Sequence, residues 1–194
     1  MTTSRGLTQF EHILLSLLED EARTGYELKR HFRTTPSGVY EPSSGALYPA
    51  LQRLESRGFL RAEQAPSGRR SRLLYRTTAK GRAATLSWLR EPLDPVTVGR
   101  DLGLHLMRFV VMERRLSTDE VRAFLSSLVA ALEAFVDNLE LYMLTTSLPG
   151  RHPRLALEHG LAVHHASLAW ARAAVNAVAH ESDTTATARH DDGD

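Results

Sequence analysis

Three times in this chain a hydroxyl residue is followed three positions later by glutamate and then by an apolar run: Thr8–Glu11, Thr24–Glu27 and Ser117–Glu120. At that spacing the hydroxyl accepts from the backbone amide of the glutamate, and the carboxylate reaches back to the amide of the hydroxyl residue. Two donors that a helix start leaves unsatisfied are met together. Each pair therefore dictates a helix start. The apolar spacing agrees, with Phe10, Ile13, Leu14, Leu17 and Leu18 behind the first pair, up to the acidic run Glu19-Asp20-Glu21. Behind the second pair Leu28 and Phe32 face a core, while Lys29, Arg30 and Arg33 face outward.

A third helix begins at Ser43 in "EPSSGALYPALQRLESRGFL", with Leu47, Ala50, Leu51 and Leu54 as one stripe and Gly58 just past its end. Two β-prone segments, "FLRAEQ" and "RLLYRT", follow on either side of the turn-forming Ala65-Pro66-Ser67-Gly68. Thr78 then caps a fourth helix. Pro92, Pro95 and Gly99 mark a break. Beyond it Val121, Leu125, Leu128, Leu132, Phe135, Leu139 and Tyr142 recur at spacings of 4,3,4,3,4,3, the seam of a coiled coil. A last helix runs from about Pro153 to His180, and the polar tail after it has the composition of a disordered segment. The expectation is a mainly α chain. Residues 1–92 form a winged helix-turn-helix, 93–180 a helical, coiled-coil-like dimerisation domain, and 181–194 a disordered tail.

Charge divides along the same line. Residues 1–90 hold 15 Lys/Arg against 8 Asp/Glu, and residues 91–194 hold 9 against 15. A basic half beside an acidic one points to a polyanion as partner of the first. With no cysteine, disulfides and thiolate metal sites are excluded. No apolar run has the roughly 18–20 residues of a membrane span, and the N-terminus lacks the apolar block of a signal peptide. A cytoplasmic location is expected, with no membrane partner.

The third helix carries the chemistry. With its leucines inward, 100° per residue sends Gly45, Tyr48, Pro49 and Gln52 to the opposite face, with no acid before Glu55. Ser43 and Ser44 stand at the helix start, where amides and hydroxyls bond a phosphate oxygen. Arg69, Arg70 and Arg72 lie at or near the tip of the hairpin, and Lys29 flanks from the second helix. Cations supply affinity without sequence choice, so choice falls to groups such as Tyr48 and Gln52.

The blocks "GYELKRHF", "SSGALYPALQRLESRGFL" and "RSRLLYRTTAKGRAA" resemble the signature of PadR-type transcriptional regulators, over about residues 8–90. The helical remainder resembles the larger subfamily with a virulence-activator-like C-terminal domain. The resemblance implies a homodimer on an inverted-repeat operator in double-stranded DNA, usually a repressor. Some relatives are released by phenolic acids or other aromatic small molecules, which makes a small aromatic effector a candidate partner. Carried over by position, Tyr26, Lys29, Ser43, Tyr48 and the wing arginines become the expected DNA contacts. Two departures stand out: relatives often have proline where Ser44 stands, and a hydroxyl residue at the place of Ala46.

Several features have plainer readings. The spacing of His159, His164 and His165 does not put two imidazoles on one helical face, so they read as seam histidines rather than metal ligands. Trp170, Tyr142, Met107 and Met143 could line an aromatic-ligand pocket, but such residues at helical spacing are more often core. The heptad seam fits either dimerisation or packing against the last helix of the same chain. No cofactor is implied. No phosphate loop, cysteine nucleophile or converging Ser/His/carboxylate set suggests an enzyme. The alternative to DNA binding is a protein-interaction adaptor, which would have no need of a basic wing.

Overall fold

The computed structural model describes residues 6–34, 43–64 and 72–188. The chain forms two compact units, one from Met1–Glu91 with Gly103–Arg115, the other from Pro92–Leu102 with Leu116–Asp194.

In the first unit, α1 (Gln9–Asp20), β1 (Arg23–Thr24), α2 (Gly25–Thr34) and α3 (Ser44–Ser56) precede β2 (Leu60–Gln64), β3 (Leu73–Thr77) and α4 (Ala79–Leu89). Both expected capping boxes are formed. The Glu11 amide donates to Thr8 Oγ1 at 3.2 Å and Thr8 N donates to Glu11 Oε2 at 2.9 Å. At the second, Thr24 N donates to Glu27 Oε2 at 2.7 Å. Strands β2 and β3 pair antiparallel from Leu60↔Thr77 to Gln64↔Leu73, and β1 adds to the free edge of β3 through Arg23↔Tyr75 and Thr24↔Leu74. Sequence patterning did not reveal β1, because two residues are too few to show alternation. Ile13, Leu14, Leu15 and Leu18 of α1 share the core with Leu28, Leu47, Leu51, Leu54 and Leu60. Gly58, at φ 75°, takes the left-handed turn that ends α3 and releases the chain into β2.

Helix α5 (Pro95–Met112) is broken at Asp101, whose φ of −123° and ψ of 30° leave the helical region. The chain changes unit just beyond this break. The sequence placed one boundary at residue 92, whereas the second half of α5 belongs with the winged unit. Two arginines account for this. Buried Arg108 donates to the Leu89 carbonyl at 3.0 Å and also to the Glu91 carbonyl, at the end of α4. Arg115 bonds Asp20 at 2.9 Å and the Ser16 carbonyl at 3.2 Å, at the end of α1.

The second unit is dominated by α6 (Thr118–Thr145) and α7 (Arg151–Ala188), which pack against each other. The Ser117–Glu120 capping box starts α6. The expected end of the last helix at His180 is eight residues short, since α7 continues to Ala188. No glycine or proline in residues 181–188 interrupts it, and polar composition alone does not stop a helix already propagating. Only residues 189–194 of the expected tail lie outside the described residues.

Val121, Leu125, Leu128 and Leu132 of the heptad seam are buried within this one chain, together with Phe124, Ala131 and Val136. Farther along, Phe135 and Leu139 are half-buried and Tyr142 is exposed. A straight helix drifts about 20° per heptad from a 3.5-residue repeat, which carries the later seam positions outward and brings Val136 in. The Phe135 ring lies 4.5 Å from that of His164, whose Nδ1 is 2.7 Å from the Gly160 carbonyl. His164 is thus a seam histidine. Among the described residues no three metal-binding side chains gather, and no helix is long and apolar enough to cross a membrane.

Candidate nucleic-acid interface

Helix α3 has two unlike faces. Leu47, Ala50, Leu51 and Leu54 are completely buried, whereas Gly45, Tyr48, Pro49 and Gln52 are exposed. The outward face is therefore the one the spacing gives, and no carboxylate interrupts it before Glu55. Its inner edge is fixed by a long-range tie. Arg53 Nε donates to Glu11 Oε1 at 3.0 Å, and the Glu11 side chain is only 3% exposed. Burial alone would raise the Glu11 pKa. The Thr8 amide, the Arg53 guanidinium and the Thr8 hydroxyl together hold it below the ordinary carboxylate value. One carboxylate thus both caps α1 and orients α3.

Ser43 occupies the N-cap position of α3, with φ −61° and ψ 154°, but its side chain makes no capping hydrogen bond. Its exposed hydroxyl is not spent on the helix, although its carbonyl accepts from the Leu47 amide at 3.0 Å. Ser44 opens the helix, and its side chain lies outside the described ones. Pro49 stands on the exposed face, so its ring does not intrude on the core. Ala46 is half-buried and offers no hydroxyl.

Tyr26 and Lys29 come from α2. Tyr26 is 68% exposed and Lys29 half-buried. Arg72, just before β3, is exposed and near Glu27. The pKa of Glu27 is lowered first by the Thr24 amide, then by the Thr24 hydroxyl, with Arg72 and Arg23 adding to this against a small effect of burial. Arg69 and Arg70 lie in the connection between β2 and β3, outside the described residues.

Between the start of α2, α3 and β3 lies a cleft of about 500 Å³, lined by Gly25, Tyr26, Tyr48, Arg72, Leu73 and Tyr75. It joins Tyr26, Tyr48 and Arg72, three residues singled out from sequence, in one place. Lys29, Ser43 and Gln52 do not line it. Gly25, Leu73 and Tyr75 were not recognised. A glycine at the first position of a helix was the one available hint, since this position does not call for its flexibility. Burial, with Glu55 and Tyr48 adding to it, raises the Tyr75 pKa, so the Tyr75 phenol stays protonated.

Three helices, a hairpin joined by a third short strand, and an acid-free outer face on α3 define a winged helix-turn-helix protein. Residues 14–86 match the family described as "Transcriptional regulator PadR-like family". "Probable transcriptional regulator Rv1176c" of Mycobacterium tuberculosis is 31% identical over 94 residues, 48% of this chain and 50% of that protein. "Transcriptional regulator Rv3488" of the same organism is 41% identical over 76 residues, 38% of this chain and 64% of that protein. The chain thus spans between half and two-thirds of the length of these relatives. Bacillus subtilis PadR, solved in complex with operator DNA, is 19% identical, with 88% of this chain and 99% of that one covered at a TM-score of 0.45. Members of this family are regulators and not enzymes.

Proposed function

We propose that this protein is a sequence-specific DNA-binding regulator of transcription, acting as a homodimeric repressor on an inverted repeat. The observation that carries the reading is the outer face of α3: Gly45, Tyr48, Pro49 and Gln52 exposed, and the opposite face wholly buried. Such a helix fits the major groove, about 12 Å wide. Ser43 and Lys29 flank it to hold phosphate, Tyr26 stands beside the groove, and Arg69, Arg70 and Arg72 reach the backbone from the wing. Tyr48 and Gln52 read base edges. The location that follows is the cytoplasm, where the DNA is. Release by a small aromatic acid is the regulatory half of this reading. It rests on the family alone, and titrating phenolic acids into the bound complex tests it.

The decisive experiment is a mobility shift with the region upstream of its own gene, alongside selection from a random-sequence duplex library. Half-sites should be separated by about 34 Å or a multiple. If each subunit neutralises three or four phosphates, log affinity should fall against log salt with a slope of about −5 to −7 for a dimer. Tyr48→Ala should weaken the selected duplex more than a scrambled one. Replacing Arg69, Arg70 and Arg72 together should weaken both alike. No shift at low salt, or an affinity indifferent to salt, would overturn the proposal.

A further inference from the structure

Gly25, the first residue of α2, lies directly against a side chain of α3. A Cβ placed on Gly25 would stand 2.6 Å from Cε1 of Tyr48 and 3.3 Å from its Cζ. Carbon atoms in contact are about 3.5–4.0 Å apart, so the Tyr48 ring sits in a notch that exists because residue 25 has no side chain. Nothing in α2 itself explains this glycine. Its φ is not in the left-handed region, and alanine favours a helix over glycine. Tyr48 is also 44% exposed and forms one wall of the cleft with Tyr26, Leu73 and Tyr75. The ring is therefore both held from behind and open in front.

We propose that Gly25 is a positioning residue for Tyr48: the missing side chain at the start of α2 seats the phenol ring, and that seat sets where the ring meets DNA. The inference rests on the reading of the outer face of α3 as the DNA-reading surface. The obstructing atoms belong to the far end of a flexible side chain, so an alanine at position 25 displaces the ring while leaving both helix backbones in place. The displacement needed is about 1 Å. Binding groups have to be held to within about 0.5 Å of their productive geometry, so discrimination is lost while the fold persists.

The test uses the full chain, a duplex selected by the wild-type protein from a random library, and a scrambled duplex of equal length. Gly25→Ala should bind the selected duplex about tenfold more weakly, bind the scrambled duplex as wild type does, and melt no lower than wild type. The double variant Gly25→Ala/Tyr48→Ala should bind like Tyr48→Ala alone, because the first change acts only through the ring. Full affinity in Gly25→Ala, an equal loss with and without Tyr48, or wild-type discrimination in Tyr48→Ala would each overturn the positioning role. Should Gly25→Ala melt early, removing the ring must restore the melting temperature to that of Tyr48→Ala; a double variant that stays low overturns the role as well. A wild-type protein that selects no sequence instead removes the DNA reading, and does so before any variant is made.

Discussion

His12 shows how much one buried side chain in α1 ties the winged unit to pH. Its ring stacks on Trp88, with centroids 4.8 Å apart and planes 3° from parallel, and its Nδ1 has no hydrogen-bond partner among the described residues. Burial pushes its pKa from 6.5 down to about 4, with Glu11 pulling the other way and Arg108 adding to the fall. The unfolded chain therefore binds a proton between these values that the folded chain refuses. Stability from this group is complete above pH 6.5 and is lost as pH falls toward about 4. The interval is worth up to about 3 kcal/mol. His12→Phe keeps the stack and removes the titration, so unfolding by denaturant at several pH values should show a shallower loss in the variant across this window. His31, also lowered by burial and then by Arg23, leaves a residual slope in both proteins. Glu11, with its pKa held low, contributes stability that is complete above the ordinary carboxylate value and is lost as pH falls through its depressed one, in wild type and variant alike. Equal acid sensitivity in wild type and variant would refute the assignment to His12.

Among the elements, legibility followed the length scale of the interaction. Capping boxes at residues 8, 24 and 117 were readable because the bonds they make span three residues. The outward face of α3 was readable because rotation per residue is fixed once Leu47, Leu51 and Leu54 are inward. The tie between Arg53 and Glu11, 42 positions apart, and the seat of Tyr48 on Gly25 depend on how helices meet, which no local pattern encodes. The same holds for Gly99 in α5. A Cβ there would run into the Phe135 ring of α6, and His164 lies 4.5 Å away from that ring. Gly99→Ala should therefore destabilise the second unit by about 1–3 kcal/mol, the usual range for overpacking. Calorimetric melting would register this, with partial recovery when Phe135→Leu is added. An unchanged melting profile in Gly99→Ala would mean that the ring has room to retreat.

At the scale of the whole molecule, an inverted repeat needs two wings related by two-fold symmetry, so the proposed function requires a surface for self-association. The seam residues Val121, Leu125, Leu128 and Leu132 are used up inside the chain and offer a second copy nothing as they stand. Exposed apolar side chains instead gather toward the end of α6 and along α7, at Leu141, Tyr142, Leu144, Leu155, Val163 and Trp170. Side chains on the two helices meet along this stretch, since His165 Nε2 is 3.0 Å from Glu140 Oε1 and Arg172 donates to Glu133 at 2.7 Å. Leu144 alone is 84% exposed, so a charge there costs the folded chain little. Leu141→Glu/Leu144→Glu should consequently halve the mass measured by sedimentation equilibrium while leaving helix content and melting of the first unit unchanged. The consequence for DNA follows from counting charges. A monomer neutralises half as many phosphates as a dimer, so the slope of log affinity against log salt should fall to about half its wild-type value. Affinity for the inverted repeat should drop toward that for a single half-site. A variant that stays dimeric would place the two-fold elsewhere in the chain. One that becomes monomeric yet keeps the full salt slope would show that the wings, rather than the pairing of subunits, set the number of phosphates engaged.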